Sequence, residues 1–126
     1  MRNPFFPSAG PRFVSRSQVL ALAKSMADQI ADRRPDVTRV LLFGSYARGD
    51  FSARSDLDLL ILLEESHLRL SDRIGDFLAD CASFPTDVFP LTEDELRGRV
   101  NEGNPFWTRA LEEAVVLFDR SATTTG

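Results

Sequence analysis

Two apolar runs and the polar residues at their ends decide the fold of this chain: Leu41-Leu42-Phe43-Gly44-Ser45-Tyr46-Ala47-Arg48-Gly49-Asp50 and Ser55-Asp56-Leu57-Asp58-Leu59-Leu60-Ile61-Leu62-Leu63. The first run ends in a Gly-Ser turn, and the second opens with two carboxylates one residue apart. Aspartate is a poor strand former, and a charge near a core is costly unless it is paired or metal-bound. The position of these acids therefore indicates a site.

Composition sets the class of protein. The chain has 126 residues and a net charge of -4, with 43% hydrophobic and 27% charged residues. This length predicts one domain without room for a separate substrate domain. The acidic balance argues against a protein that coats nucleic acid, so we expect no direct nucleic-acid binding. The single cysteine, Cys81, allows no internal disulfide and is expected to pack in the interior.

Targeting signals are not recognisable in the sequence. No stretch approaches the roughly 20 apolar residues of a membrane span, and the start lacks the apolar run of a signal peptide. We therefore expect a cytoplasmic protein that does not enter a membrane. Pro and Gly interrupt the aromatic residues of the first segment. We predict an N-terminal arm at residues 1–14, a domain at 15–118 and a flexible polar tail at 119–126.

Periodicity and capping signals predict the order of elements. Ser15 with Gln18, and Thr92 with Glu95, have the form of capping boxes. Apolar residues at helical spacing predict helices, and β-branched or uniformly apolar runs predict strands. The helices are expected over Arg16–Arg33, His67–Ala82, Glu93–Val100 and Pro105–Glu113, with a short one from Tyr46, and the strands over Val37–Phe43, Leu57–Leu63, Thr86–Phe89 and Ala114–Phe118. This order predicts an α/β or α+β domain, a small mixed sheet with helices packed against it.

Three acids form a candidate metal site. Side chains alternate along a strand, so Asp56 and Asp58 lie on one face while Leu57 and Leu59 point into the core. Asp87 completes the site if its strand lies beside Leu57–Leu63; taken singly, it is equally compatible with a turn or cap. Paired carboxylates repel unless a cation compensates, and Mg²⁺ prefers such ligands together with water and phosphate. We therefore expect one or two Mg²⁺ ions.

The Gly-Ser turn forms a candidate phosphate site. Gly44 at a strand end lets backbone N–H groups approach a phosphate closely, and Ser45 offers a hydroxyl. Arg48, one turn later, is compatible with phosphate binding and with a structural salt bridge. A Gly-Ser pair alone marks turns in many proteins. Its position between two buried strands, the second opened by an acid pair, makes it informative.

Three further residues have simpler interpretations. Tyr46 lies inside the motif and is expected to pack, although lining the pocket or accepting a nucleotide is compatible with its position. Trp107 is expected to fill the core or a partner-facing patch. His67, the only histidine, is expected at the surface or in a helix cap.

At these residues the chain resembles a known family. Gly44-Ser45-Tyr46-Ala47-Arg48-Gly49, Ser55-Asp56-Leu57-Asp58-Leu59 and Asp87 are similar to the signature of the DNA polymerase beta-type nucleotidyltransferases. The short length most resembles the minimal nucleotidyltransferase branch, whose members are commonly encoded beside a HEPN-domain protein as antitoxin and toxin. The resemblance implies the polymerase beta-like palm fold.

The resemblance also implies roles for the site residues. Asp56, Asp58 and Asp87 would bind Mg²⁺, and Asp87 would help activate an acceptor hydroxyl. Gly44 and Ser45, with Arg48 nearby, would hold the triphosphate of ATP or another NTP. The implied activity is transfer of AMP to a tyrosine of a HEPN toxin, which silences it. Two alternatives stay open: an antitoxin that neutralises its partner by binding alone, and transfer to a small molecule such as an aminoglycoside.

Overall fold

The protein is described by a computed structural model over residues 15–123. Its elements, in chain order, are α1 (Arg16–Arg33), β1 (Val37–Phe43), α2 (Ser45–Arg48), β2 (Leu57–Leu63), α3 (Leu70–Leu78), a 3₁₀ turn (Ala79–Cys81), β3 (Thr86–Thr92), α4 (Glu93–Asn101), α5 (Pro105–Glu113), β4 (Val115–Asp119) and α6 (Arg120–Thr123). The expected N-terminal arm, residues 1–14, lies outside the described residues.

The four strands form one mixed sheet in the order β3-β2-β1-β4. Strand β1 is antiparallel to both β2 and β4, whereas β2 and β3 are parallel. A parallel pair needs a crossover connection, which α3 and the 3₁₀ turn supply. The predicted small mixed sheet with helices packed against it is confirmed.

Both faces of the sheet are covered, as the continuous apolar runs of β1 and β2 require. On one face, Leu57, Leu59 and Ile61 join the buried stripe of α1 together with Phe77 of α3. On the other face, Leu60 and Leu62 of β2 pack with side chains of α4 and α5. The residues of α4 and α5 that pack here are Leu96, Trp107 and Ala110.

The bounds of α1, β1 and β2 are those that the sequence predicted. The capping box of α1 is formed: the Ser15 hydroxyl accepts from the Gln18 N–H, and the Gln18 side chain accepts from the Ser15 N–H. The capping box of α4 is formed in the same way by Thr92 and Glu95. Asn104 caps α5, where Pro105 is the first helical residue.

Two predicted elements, α3 and β3, differ from the structure in their bounds. Helix α3 begins at Leu70, not His67, and ends at Leu78, where the chain tightens into the 3₁₀ turn. Strand β3 continues to Thr92 instead of ending at Phe89. Proline cannot donate a ladder hydrogen bond, but β3 is an edge strand, so Pro90 does not break it.

The C-terminal segment is also more regular than expected. Asp119 is the last residue of β4, and Arg120–Thr123 form a short helix where a flexible tail was predicted from 119 onward. The Arg120 guanidinium donates to the carbonyl oxygens of Val37 (2.8 Å), Ala31 (3.0 Å) and Arg34 (3.2 Å). These bonds satisfy carbonyls at and after the end of α1 and hold this part of the chain on the domain.

No helix within residues 15–123 is both long and apolar enough to cross a membrane.

Candidate active site

The turn after β1 places Gly44 against Asp58. Gly44 has φ +77°, which favours glycine, and a Cβ built on it would lie 2.1 Å from Oδ2 of Asp58. Phe43 and Asp58 are paired in the β1–β2 register, so the end of one strand meets the start of the next. Only a residue without a side chain fits beside this carboxylate.

The parallel pairing of β2 and β3 brings the acids together. Asp58 and Asp87 are direct neighbours in the register, and Asp56 immediately precedes β2. Asp58 is partly buried, whereas Asp56 and Asp87 are exposed. Val88 faces the α1 side of the sheet, so Asp87 lies on the opposite face with Asp58. The adjacency on which the candidate metal site depended is therefore present.

Burial and the close approach of the three acids change the pKa of Asp58. Its pKa is raised from 3.8 to about 6, first by burial and then by the negative charges of Asp87 and Asp56. Arg48 lowers the pKa of Asp58, and Glu113 raises it. Excess negative charge around a desolvated carboxyl is typical of a site completed by a cation.

The donor set fits a hard divalent cation by its chemistry. Carboxylate oxygens are the side-chain ligands that Mg²⁺ prefers, and the register supplies them from two adjacent strands. Within residues 15–123, however, no three His, Cys, Asp or Glu side chains are arranged as a closed ligand set. The backbone therefore brings the three acids close together, but their carboxylate oxygens do not surround a common point.

Ser45 and Arg48 are the first and last residues of the short helix α2. Gly49, with φ +93°, ends the helix in the left-handed conformation. The Arg48 guanidinium bonds Asp50 (Nε–Oδ2 3.0 Å) and Glu113 (Nη1–Oε1 3.0 Å). Arg48 thus forms the predicted salt bridges and also lines the cavity described next, and phosphate binding by Arg48 stays a prediction.

A cavity of about 600 Å³ lies between the turn after β1, the start of β2 and α5. Gly44, Ser45 and Arg48 line it together with Asp58. Its other walls are formed by Phe43, Asp50, Phe89, Phe106, Arg109, Ala110 and Glu113. The lining therefore combines polar and charged groups with the aromatic rings of Phe43, Phe89 and Phe106.

Helix α5 contributes residues that the sequence analysis did not assign to the site. The Gly44 N–H donates to Oε1 of Glu113 at 3.1 Å, and the same oxygen accepts from Arg48. Phe106 is 52% exposed, and its ring packs edge-on against Phe43 with centroids 5.9 Å apart. Two glutamates at the end of α5, where the helix dipole disfavours negative charge, are the signal that could have pointed to Glu113.

The remaining candidates have structural positions. Tyr46 is buried and stacks on Phe51 with centroids 4.5 Å apart, which confirms the packing interpretation. Trp107 is buried in the aromatic cluster beside the cavity. His67 is exposed and precedes α3. Cys81 is buried in the core, and burial raises the pKa of its thiol to about 11.

Comparison with curated proteins finds related sequences over part of the chain. "Putative protein adenylyltransferase MJ0141" from Methanocaldococcus jannaschii is 43% identical over 49 residues, which are 38% of this chain and 50% of that protein. "Putative protein adenylyltransferase MJ0604" from the same organism is 52% identical over 29 residues, 23% of this chain and 29% of that protein. The chain spans about half the length, or less, of these relatives.

Solved structures share the fold. A "putative nucleotidyltransferase from Sulfolobus solfataricus" matches with a TM-score of 0.63 and 25% identity, over 84% of this chain and 85% of that chain. A "toxin-antitoxin with AMP-PNP" matches with a TM-score of 0.50 and 18% identity, over 87% of this chain and 77% of that chain. The predicted nucleotidyltransferase fold is confirmed.

The family is shown by a match over most of the domain. The model of the nucleotidyltransferase domain family matches residues 23–113, which is more than half of the chain. The matched region includes the turn at Gly44, the acids Asp56, Asp58 and Asp87, and helix α5. The chain therefore belongs to the nucleotidyltransferase domain family.

Proposed function

We propose that this protein is a metal-dependent nucleotidyltransferase of the cytoplasm that transfers a nucleoside monophosphate, AMP from ATP, to a hydroxyl of a partner protein. The acceptor is a tyrosine of a HEPN toxin, and the modification makes this chain the antitoxin. The single observation that carries the proposal is the position of Asp58. It lies against the Gly44 turn, beside Asp87 in the register, at a cavity of about 600 Å³.

The cavity offers groups for each part of the substrate. The Gly44 N–H, the Ser45 hydroxyl and the Arg48 guanidinium are donors suited to the triphosphate. Asp56, Asp58 and Asp87 would hold Mg²⁺, which offsets negative charge on the phosphates when bound. The family resemblance supports these roles.

The proposed reaction is an in-line displacement. The acceptor oxygen forms a bond to the α-phosphorus, the bond from that phosphorus to the bridging oxygen breaks, and pyrophosphate leaves. Asp87 accepts the proton of the acceptor hydroxyl. Because Asp87 is exposed at the edge strand, it is accessible to a hydroxyl presented by another protein. Catalysis comes mainly from positioning and charge.

The choice of acceptor is supported by the relatives. The names of the curated relatives describe protein adenylyltransferases. A structure of the same fold is a toxin–antitoxin complex with AMP-PNP.

The test is label transfer from ATP. The protein is incubated with ATP labelled at the α-phosphate, Mg²⁺ and the product of the neighbouring gene. We expect label on a tyrosine of the partner, loss of transfer in Asp58→Asn or with a chelator, and normal transfer in Asp72→Asn. Asp72 is an exposed acid of α3, on the other side of the sheet, and serves as the matched control.

Other outcomes would contradict the proposal in different ways. Absence of label, with Asp58→Asn still neutralising the partner in cells, would indicate an antitoxin that acts by binding alone. Label on a small molecule such as an aminoglycoside, and none on the partner, would indicate the other transferase class.

A further inference from the structure

Glu113 occupies the donors that the proposed function assigns to the triphosphate. Its Oε1 accepts from the Gly44 N–H at 3.1 Å and from Arg48 Nη1 at 3.0 Å. The Glu113 side chain is only 15% exposed, although it borders the cavity. One carboxylate oxygen thus accepts hydrogen bonds from both a backbone N–H and the Arg48 guanidinium at the cavity.

Within its own helix Glu113 has only a long ionic contact, from Nε of the exposed Arg109 to its Oε2 at 3.9 Å. It is the last residue of α5, next to Glu112, and the last turn of the helix contains no basic residue. Negative charge at a helix C-terminus is unfavourable. The contacts with Gly44 (3.1 Å) and Arg48 (3.0 Å) are much shorter than the contact with Arg109, so they contribute most to offsetting this cost.

The two donors are those that an oxygen of a phosphate would use. Carboxylate and phosphoryl oxygens accept the same charge-assisted hydrogen bonds, from backbone N–H groups and from guanidinium. A bound triphosphate and the Glu113 carboxylate cannot both use the Gly44 N–H. They are also both negative, so they repel each other in a partly desolvated cavity.

We infer that Glu113 is an internal competitor of the nucleotide: its carboxylate holds the triphosphate subsite in the free protein, and an incoming triphosphate displaces it. The inference rests on the proposed function. It also implies selectivity for charge, because a triphosphate has several oxygens and more negative charge to offer than a monophosphate. AMP therefore displaces Glu113 less readily than ATP.

The test is nucleotide affinity measured by calorimetry. The full chain is titrated with a non-hydrolysable ATP analogue in the presence of Mg²⁺, and separately with tripolyphosphate, which has no base or ribose. Glu113→Gln removes the competing charge at nearly constant shape. Because it weakens one charge-assisted contact to each donor, we expect it to tighten both ligands about tenfold.

Two control variants separate contact from net charge. Glu112→Gln makes the same change in net charge at an exposed position one residue away, and its affinity should stay within about twofold of that of the unmodified protein. Glu113→Asp keeps the charge but shortens the side chain, so it should also tighten binding. Thermal unfolding of each variant checks the fold, and Glu113→Asp supplies the test if Glu113→Gln does not fold.

The outcomes distinguish this inference from the proposed function. Equal or weaker binding by Glu113→Gln and Glu113→Asp, with label transfer by the unmodified protein intact, overturns the competitor role alone. Equal tightening by Glu112→Gln overturns it as well, because net charge would then explain the effect. If no variant binds either ligand, both the inference and the proposed function fail.

Discussion

Replacing Asp58 by asparagine should stabilise the metal-free protein while abolishing its activity. Asp58 is partly buried and faces the negative charges of Asp87 and Asp56, and its pKa is raised from 3.8 to about 6. A difference of this size corresponds to about 3 kcal/mol against the charged form. Solvent access to a half-exposed side chain reduces this figure to about 1–2 kcal/mol. Asp58→Asn removes the charge and should raise the free energy of unfolding by that amount at pH 8.

The sign of the effect fixes its pH dependence. The folded-state pKa of Asp58 lies above its unfolded value, so the folded protein holds this proton more tightly. Below about pH 4 the carboxyl is protonated in both states, and the charge costs nothing. As the pH rises from about 4 to 6, ionisation of Asp58 increasingly lowers stability. The advantage of Asp58→Asn should therefore be full at pH 8 and nearly absent at pH 4.

Urea unfolding of both proteins, in buffers from pH 4 to 8 with a chelator present, measures this difference. The comparison cancels the titration of groups that the two proteins share. The exposed variant Asp72→Asn should show no such pH-dependent gain. A destabilised Asp58→Asn at pH 8, or a gain that does not change with pH, would refute the reasoning that negative charge accumulates at Asp58.

Other substitutions test the turn and a buried ion pair. Gly44→Ala should cost about 2–3 kcal/mol of stability, because its Cβ would lie 2.1 Å from Oδ2 of Asp58 and φ is +77°. By contrast, Gly75→Ala meets nothing within 4 Å in α3 and should add about 0.5–1 kcal/mol; thermal unfolding compares the two, and an equal loss in both would contradict the contact with Asp58. Arg73→Met should cost about 2–4 kcal/mol, since the buried guanidinium bonds Glu95 and two backbone carbonyls. Hydrogen bonds from Arg73 first and from Thr92 next lower the pKa of Glu95 to about 2, so the contribution of the Arg73–Glu95 pair is present above about pH 4.5 and is lost as the pH falls toward 2. Urea unfolding across that range measures it, and a loss that is independent of pH would argue for packing instead.

Much of the fold could be predicted because its central signals are local. The apolar run of β1 ends at Gly44, and the apolar run of β2 begins after Asp56. These bounds can therefore be predicted from neighbouring residues. The capping boxes of α1 and α4 likewise involve residues three apart. Where the determinant is not local, prediction was less accurate. Pro90 lies inside β3 only because that strand is at the edge of the sheet.

The same division applies to the site. By itself the sequence determined that Gly44 follows one buried strand, that Asp56 and Asp58 open the next, and that Asp87 is on a later one. These are properties of spacing and side-chain chemistry. Tertiary structure alone decided that Asp58 and Asp87 are neighbours, because the parallel pairing of β2 and β3 depends on the crossover through α3. It also decided that Glu113, 69 residues after Gly44, reaches the N–H of that turn. No periodicity encodes such a contact, since it arises only when α5 packs across the end of β1.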